Sequence, residues 1–366
     1  MSNITVVGAG KIGVTIADLL GRTGDYTVTL MDASAAALGR VKLGPHVVAR
    51  QLDVREPGAL RAALRGQFAV LSAAPFQFTT PIAEAAVAAG VHYLDLTEDV
   101  ASTRRVRALA DTAHSALIPQ CGLAPGFVSI VAAELCRRFD TLHSVRLRVG
   151  ALPQYPSNAL NYNLTWSTDG VINQYCEPCE AIVDGVLRQV SALAEREEFS
   201  LDGVRYEAFN TSGGLGTLAE TLQGRVANLN YKSIRYPGHA AIMNVLLHDL
   251  RLRERRHILK DILENALPTT LQDVVVVFVT VTGLRDGHFV QESYAHKLYS
   301  QLVDGVQRSA IQLTTASSIC AVLELLAAGR LPARGFVRQE DIALTDFLAN
   351  RFGQAFADHP FVPSRL

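Results

Sequence analysis

The segment Ile4-Thr5-Val6-Val7-Gly8-Ala9-Gly10-Lys11-Ile12-Gly13 constrains the fold more than any other part of the chain. A β-branched run passes directly into G-x-G-x-x-G, and Ile12, Ile16, Leu19 and Leu20 keep helical spacing behind it. The glycines alone recur by chance; strand, glycine turn and helix in that order make the first βα turn of a dinucleotide-binding sheet. Gly8 allows the tight turn, Gly10 leaves room for a pyrophosphate, and Gly13 lets the helix pack close on the sheet. Lys11 and Ile12 open the helix whose N-terminus receives the phosphates.

The next strand-like run, Tyr26-Thr27-Val28-Thr29-Leu30-Met31, ends in Asp32. A carboxylate at that point accepts hydrogen bonds from the adenosine ribose and repels a 2′-phosphate. Ala33-Ser34-Ala35 supplies no arginine to hold such a phosphate, so NAD is expected over NADP. Asp53 and Val54 follow the run His46-Val47-Val48-Ala49 and are candidate neighbours of the adenine, with a plain loop aspartate an equal alternative for Asp53.

At 366 residues the chain is long for one core, and two domains are expected. Its 34 basic residues against 35 acidic ones create no field that would draw in nucleic acid or an anionic membrane, so a small-molecule partner is expected. No apolar run is expected to reach membrane-spanning length and the N-terminus passes straight into a strand, which makes a soluble, cytoplasmic protein the expectation. Five cysteines are too few for a disulfide framework. Cys176 and Cys179 have C-x-x-C spacing, but no second such pair supplies the further ligands of a zinc site, and two ordinary thiols with no bound metal are expected.

Strand signals at 3–8, 26–31, 46–50, 68–73 and 91–96 alternate with Ala-rich helical segments, and a short sixth at 116–119 completes the set. This pattern belongs to a parallel sheet with helices on both faces, an α/β Rossmann domain over residues 1–122. After Gly122-Leu123-Ala124-Pro125-Gly126 the pattern changes to longer strand runs, the strongest being Val274 to Val281, followed by a hairpin signal at Asp286-Gly287. A second, α+β domain with an open mixed sheet is expected over residues 123–310, serving substrate binding and dimerisation. Residues 311–366, beginning inside an apolar helical stretch from about Ser309 to Ala328, are expected to pack back on the first domain.

Ligands of an open parallel sheet lie beyond the carboxyl ends of its strands. Three loops fall there. Ala73-Ala74-Pro75 is small enough to pass a nicotinamide ribose, Asp95-Leu96-Thr97-Glu98-Asp99 offers carboxylates, and the segment around Gly122 has glycines that bring peptide groups to a carboxamide. The second domain adds Asn210-Thr211-Ser212-Gly213-Gly214 and Lys232-Ser233-Ile234-Arg235-Tyr236-Pro237-Gly238-His239. Hydroxyls on a glycine loop suit an anion, and Arg235 suits bidentate contact with a carboxylate; a surface loop beside a structural arginine is the alternative.

Together with Trp166-Ser167-Thr168-Asp169-Gly170 and Gly335-Phe336-Val337-Arg338-Gln339-Glu340-Asp341, these segments resemble the saccharopine dehydrogenase-like family, nearest its lysine 6-dehydrogenase-like members. Ala124 stands where saccharopine reductases usually carry aspartate, which favours a smaller amino-acid substrate. Cys176, Cys179 and Leu215-Gly216 depart from the family pattern. The resemblance implies NAD-dependent oxidation of a carbon bearing an amine, with the ε-amine of L-lysine giving allysine and its cyclic imine. Arg235, with Thr211, Ser212 and Tyr236, is then the expected carboxylate site, and Asp95 or His239 the proton acceptor, each with a structural alternative. A saccharopine or opine-type dehydrogenase is the alternative, in which Lys232 or Arg146 would anchor a second carboxylate; a non-catalytic nucleotide sensor is another.

Overall fold

The computed structural model describes residues 1–357 as two compact units, one comprising Met1–Ile130 and the chain from Gln312 onward, the other Val131–Ile311.

The first unit is built on a parallel sheet. Its strands are β1 (Ser2–Val7), β2 (Tyr26–Asp32), β3 (Val47–Gln51), β4 (Ala69–Ser72), β5 (His92–Asp95) and β6 (Ala116–Ile118). Helices Lys11–Thr23, Pro57–Leu64, Thr79–Ala89 and Val100–Ala110 supply crossovers. Central strands carry apolar side chains on both faces: Ile4, Val6, Ala69, Val70 and Leu71 are fully buried. The helix Lys11–Thr23 turns Ile16, Ala17, Leu19 and Leu20 inward and stops at Gly24, whose left-handed φ of 77° lets its N–H bond the Gly21 carbonyl.

Six strands were expected and the sheet has seven. Gly335–Phe336 pairs in parallel with Ala116–Leu117, giving the order Gly335–Phe336, β6, β5, β4, β1, β2, β3. The closing motif of the chain therefore becomes an edge of the nucleotide sheet. Phe127 stacks on Phe356 at 4.0 Å and packs on Phe347 at 5.4 Å, holding the same segment to this unit.

The second unit carries an eight-stranded mixed sheet. Its strands are β7 (Thr141–Pro153), β8 (Cys179–Val183), β9 (Val186–Val190), β10 (Glu197–Leu201), β11 (Val204–Asn210), β12 (Val226–Arg235), β13 (Asp273–Arg285) and β14 (His288–Tyr299). The path runs β10-β11-β12-β7-β13-β14, with β8 and β9 attached at β12. Only β12 and β7 pair in parallel; the other pairs run antiparallel. Asp286 and Gly287 form the β13–β14 turn with φ of 53° and 76°, the primed-turn geometry expected of Asp-Gly. One face packs on a core containing Tyr162, Val171, Tyr175, Phe209, Met243 and Leu259.

One sequence expectation is corrected. Ala310–Ala327 has 18 residues and a hydropathy of 1.6, enough by length and composition to cross a membrane. Since 83% of it is buried inside the protein, it is a core helix. Asp273, itself fully buried, receives the Ala310 and Ile311 N–H groups at its start.

Candidate active site

In the first unit the glycines of the loop after β1 have separable jobs. Gly8 has φ 107° and donates to the Met31 carbonyl at 2.7 Å; a Cβ there would lie 2.7 Å from the Ala73 carbonyl oxygen. A Cβ on Gly13 would stand 1.8 Å from the Gly8 oxygen. Around Gly10, by contrast, a Cβ would meet nothing within 4 Å. Gly8 and Gly13 therefore close the loop on itself, while Gly10 faces open space at an uncapped helix N-terminus. A diphosphate fits such a cradle, held by first-turn amides and the helix dipole. Lys11 is exposed and Ile12 half-buried at its rim.

Asp32 ends β2 with one carboxylate oxygen on the Ala9 N–H and the other on the Ser34 N–H, both at 2.8 Å. It thus fixes the glycine loop as well as standing where a ribose would lie. Asp53 is bound by Arg55 at 2.6 Å, which holds its carboxyl below the usual range, and Val54 packs on the apolar core. Ala73 donates to the Val7 carbonyl at 2.8 Å, and Ala74 packs on the core beside exposed Pro75. The Gly122 carbonyl accepts from Phe127 N–H and Ser318 Oγ, each at 2.9 Å, so this oxygen is occupied in holding helices.

Asp95 does not have the setting of a proton acceptor. It is 1% exposed, with Oδ1 accepting from Thr97 N–H at 3.0 Å and Gln120 N–H at 2.8 Å, and Oδ2 from the Tyr93 hydroxyl at 2.8 Å. Burial raises its pKa to about 6 against those three donors. The side chain ties the end of β5 to the segment after β6. Next along the loop, Glu98 is partly exposed and raised to about 7, first by burial and then by Asp99 and Asp95.

In the second unit, Arg235 ends β12 and is 3% exposed. Its Nε donates to the Tyr175 hydroxyl at 2.9 Å, Nη1 to the Ile234 carbonyl at 2.8 Å, and the guanidinium lies 5.1 Å from the Tyr162 ring centre. Among the described residues it has no ion-pair partner. Glu207, its cross-strand neighbour, is occupied: Oε1 receives Ala240 N–H at 2.7 Å, and Oε2 receives Gly238 N–H at 3.0 Å and Arg196 at 3.4 Å. A guanidinium stays charged even when buried, so Arg235 is a buried cation with no carboxylate beside it among the described residues.

His239 also departs from the proton-acceptor expectation. It is 1% exposed, Nδ1 lies 2.9 Å from the Leu160 carbonyl, and Nε2 lies 3.0 Å from the Tyr175 hydroxyl. Burial, then the Arg235 charge, lowers its pKa to about 3. A carbonyl can only accept, so Nδ1 carries the proton and Nε2 accepts from Tyr175. Tyr175 in turn accepts from Arg235. The histidine orients the arginine through one hydroxyl.

Thr211, Ser212 and Tyr236 are turned to internal partners: Thr211 to Ser233 Oγ at 2.7 Å, Ser212 to the Pro178 carbonyl and Tyr236 to the Pro153 carbonyl, each at 2.9 Å. The glycine after Gly213 serves packing, since a Cβ on Gly214 would fall 2.3 Å from the Tyr231 ring. Lys232 alternates to the sheet face opposite Arg235, where its Nζ meets the Glu195 carbonyl at 2.5 Å and Glu197 at 3.0 Å. Arg148 binds the same Glu197, and exposed Arg146 belongs to that face by the same alternation. Cys176 and Cys179 are buried free thiols, both raised by burial, Cys179 to about 12. No metal-holding group of His, Cys, Asp or Glu occurs among the described residues. Sequence reasoning missed Tyr175, which sits in the buried helix Thr168–Cys176, 60 residues from the arginine it contacts.

Residues 4–118 match the saccharopine dehydrogenase NADP binding domain, and residues 122–358 match the saccharopine dehydrogenase C-terminal domain. The chain is 24% identical over 196 residues to saccharopine dehydrogenase [NADP(+), L-glutamate-forming] of Saccharomyces cerevisiae, covering 52% of this chain and 44% of that protein. Mouse mitochondrial alpha-aminoadipic semialdehyde synthase is 21% identical over 195 residues, 51% of this chain and 21% of its own. The chain thus spans less than half the length of these relatives. Among solved structures, apo saccharopine dehydrogenase (L-Glu forming) from Saccharomyces cerevisiae superposes with TM-score 0.79 at 16% identity, covering 95% of this chain and 97% of that one. Homospermidine synthase from Legionella pneumophila, in complex with NAD, follows at TM-score 0.66 and 12% identity over 97% and 89%. With the nucleotide-binding and C-terminal family domains matched in succession along nearly its whole length, the chain belongs to the saccharopine dehydrogenase family.

Proposed function

We propose that the protein is a nicotinamide-nucleotide-dependent oxidoreductase that oxidises the amine-bearing carbon of an amino acid, and specifically the ε-amine of L-lysine to allysine, which closes to its cyclic imine. The observation that carries this reading is the buried Arg235 guanidinium, oriented by Tyr175 and His239 and left without a carboxylate partner among the described residues. A charge buried without a partner is costly, and a substrate α-carboxylate that completes it recovers that cost on binding.

Within this mechanism Arg235 binds and orients the carboxylate, and the Tyr175 hydroxyl fixes the plane of its Nε. The loop from Gly8 to Gly13 would hold the nucleotide, with Asp32 at its ribose end favouring NAD. When bound, the nucleotide supplies the hydride acceptor. Hydrolysis of the resulting imine completes the deamination.

A second reading, oxidation of a saccharopine-like secondary amine, is favoured by the names of the relatives. Such an adduct carries more carboxylates than lysine and needs at least one further cation. Lys232 is already bound to Glu197, and both it and Arg146 lie on the sheet face opposite Arg235, which supports the smaller substrate. The test is nucleotide reduction by L-lysine compared with saccharopine under identical conditions; turnover of saccharopine alone overturns the first reading.

A further inference from the structure

Hydride leaves an amine-bearing carbon only when nitrogen has a free lone pair, so some group must take the ammonium proton. The oxygens of Asp95 hold three donors, and both His239 nitrogens are engaged. A second carboxylate of the same loop is placed differently.

Glu98 lies in the loop after β5, at the carboxyl edge of the parallel sheet. In the order β5, β4, β1 that edge also holds the loop Ala73–Pro75 and the glycine loop. Its neighbours in sequence are anchored: Thr97 N–H to Asp95 at 3.0 Å, Asp99 N–H to Thr97 Oγ1 at 3.2 Å, and Ser102 N–H to Asp99 at 2.7 Å. Asp99 caps the helix Val100–Ala110, a structural role that Glu98 does not share. The Glu98 side chain is half-buried, neither sealed in the core nor free on the surface. It has no side-chain or ion-pair partner among the described residues, only its own backbone amide.

We propose that Glu98 is the proton acceptor for the amine substrate, a catalytic residue of the reaction proposed above, on which this inference rests. Its carboxylate takes one proton from the substrate ammonium and becomes a carboxylic acid, leaving the nitrogen lone pair. That pair forms the C=N bond as the C–H electron pair leaves as hydride for the oxidised nicotinamide nucleotide. Partial exposure lets Glu98 return its proton to water. The charged groups bearing on it, Asp99 and Asp95, are both carboxylates, and with burial they raise it to about 7, the poise suited to a general base near neutral pH.

The test uses Glu98→Gln and Glu98→Asp in the whole protein. Glu98→Gln should lower kcat roughly 100- to 10,000-fold. Nucleotide affinity, read by quenching of protein fluorescence, should stay within about twofold, because phosphates and ribose are held elsewhere. Glu98→Asp should keep part of kcat and move the acid limb of kcat/KM. Without turnover, infrared difference spectra of wild type minus Glu98→Gln should show a protonated carboxyl band that fades as pH rises through about 7. A wild type active on amines, with Glu98→Gln equally active and showing the same acid limb, overturns the role of Glu98 alone. A folded wild type that reduces the nucleotide with no amine overturns the proposed function, and this role with it.

Discussion

Arg235 Nε donates to the Tyr175 hydroxyl at 2.9 Å, and the same hydroxyl meets His239 Nε2 at 3.0 Å. The arginine is therefore aimed by a hydroxyl whose own direction is set by a neutral histidine. Replacing Arg235 by Met should raise KM for the amino acid by roughly 30- to 1,000-fold, the equivalent of about 2 to 4 kcal/mol of charge-assisted recognition. Thermal unfolding should show a Tm equal to or above wild type, since a buried cation without a carboxylate partner is removed. An unchanged KM contradicts the assignment.

Gly10 and Gly13 should separate binding from folding. A Cβ on Gly10 meets open protein-free space, so Gly10→Ala should unfold like wild type yet weaken nucleotide binding at least tenfold by filling the place of the pyrophosphate. Gly13→Ala puts its methyl carbon against the Gly8 oxygen and should lose stability as well. Paired melting curves and nucleotide titrations check both.

Asp95→Ala leaves Thr97 N–H, Gln120 N–H and the Tyr93 hydroxyl without their acceptor, and should cost on the order of 3 to 5 kcal/mol in denaturant unfolding. Because the role is structural, the milder Asp95→Asn should retain the wild-type acid limb of kcat/KM. Loss of that limb would restore Asp95 as the proton acceptor.

The buried histidine makes a signed prediction about acid stability. Its pKa falls from 6.5 to about 3 on folding, so the unfolded chain takes up a proton that the native chain refuses. The stability His239 contributes is present above 6.5 and is lost as pH falls toward 3, at about 1.4 kcal/mol per pH unit. Asp95 and Asp273, each raised to about 6, act in the opposite sense, their contribution being lost as pH rises through that value. From pH 7 to 5, His239→Gln should therefore lose roughly 2 kcal/mol less unfolding free energy than wild type. Equal losses would show that His239 titrates normally.

The nucleotide loop was legible in sequence because backbone geometry dictates it: Gly8 needs positive φ, and Gly13 has no space for a side chain. Arg235 was legible as chemistry, but not the hydroxyl that aims it, since Tyr175 lies 60 residues away in a short helix and meets the arginine only once the chain has folded. Asp95 shows a different limit. A carboxylate at a strand end reads alike whether it binds a substrate or three internal donors, and only burial separates the two. The seventh strand, Gly335–Phe336, carries no strand pattern of its own; the exposed edge of β6 recruits it. The helix Ala310–Ala327 has the composition of a membrane span, and its surroundings make it core.

The proposed activity oxidises an amino acid's amine while the buried Arg235 guanidinium receives its α-carboxylate. It is tested most directly by following reduced-nucleotide formation at alkaline pH with L-lysine, ornithine, other diamines and saccharopine, each with NAD and with NADP. Lysine-dependent formation of NADH, faster than of NADPH, is expected, with saccharopine a poor substrate. Turnover of saccharopine alone, or of none of these amines, would contradict it.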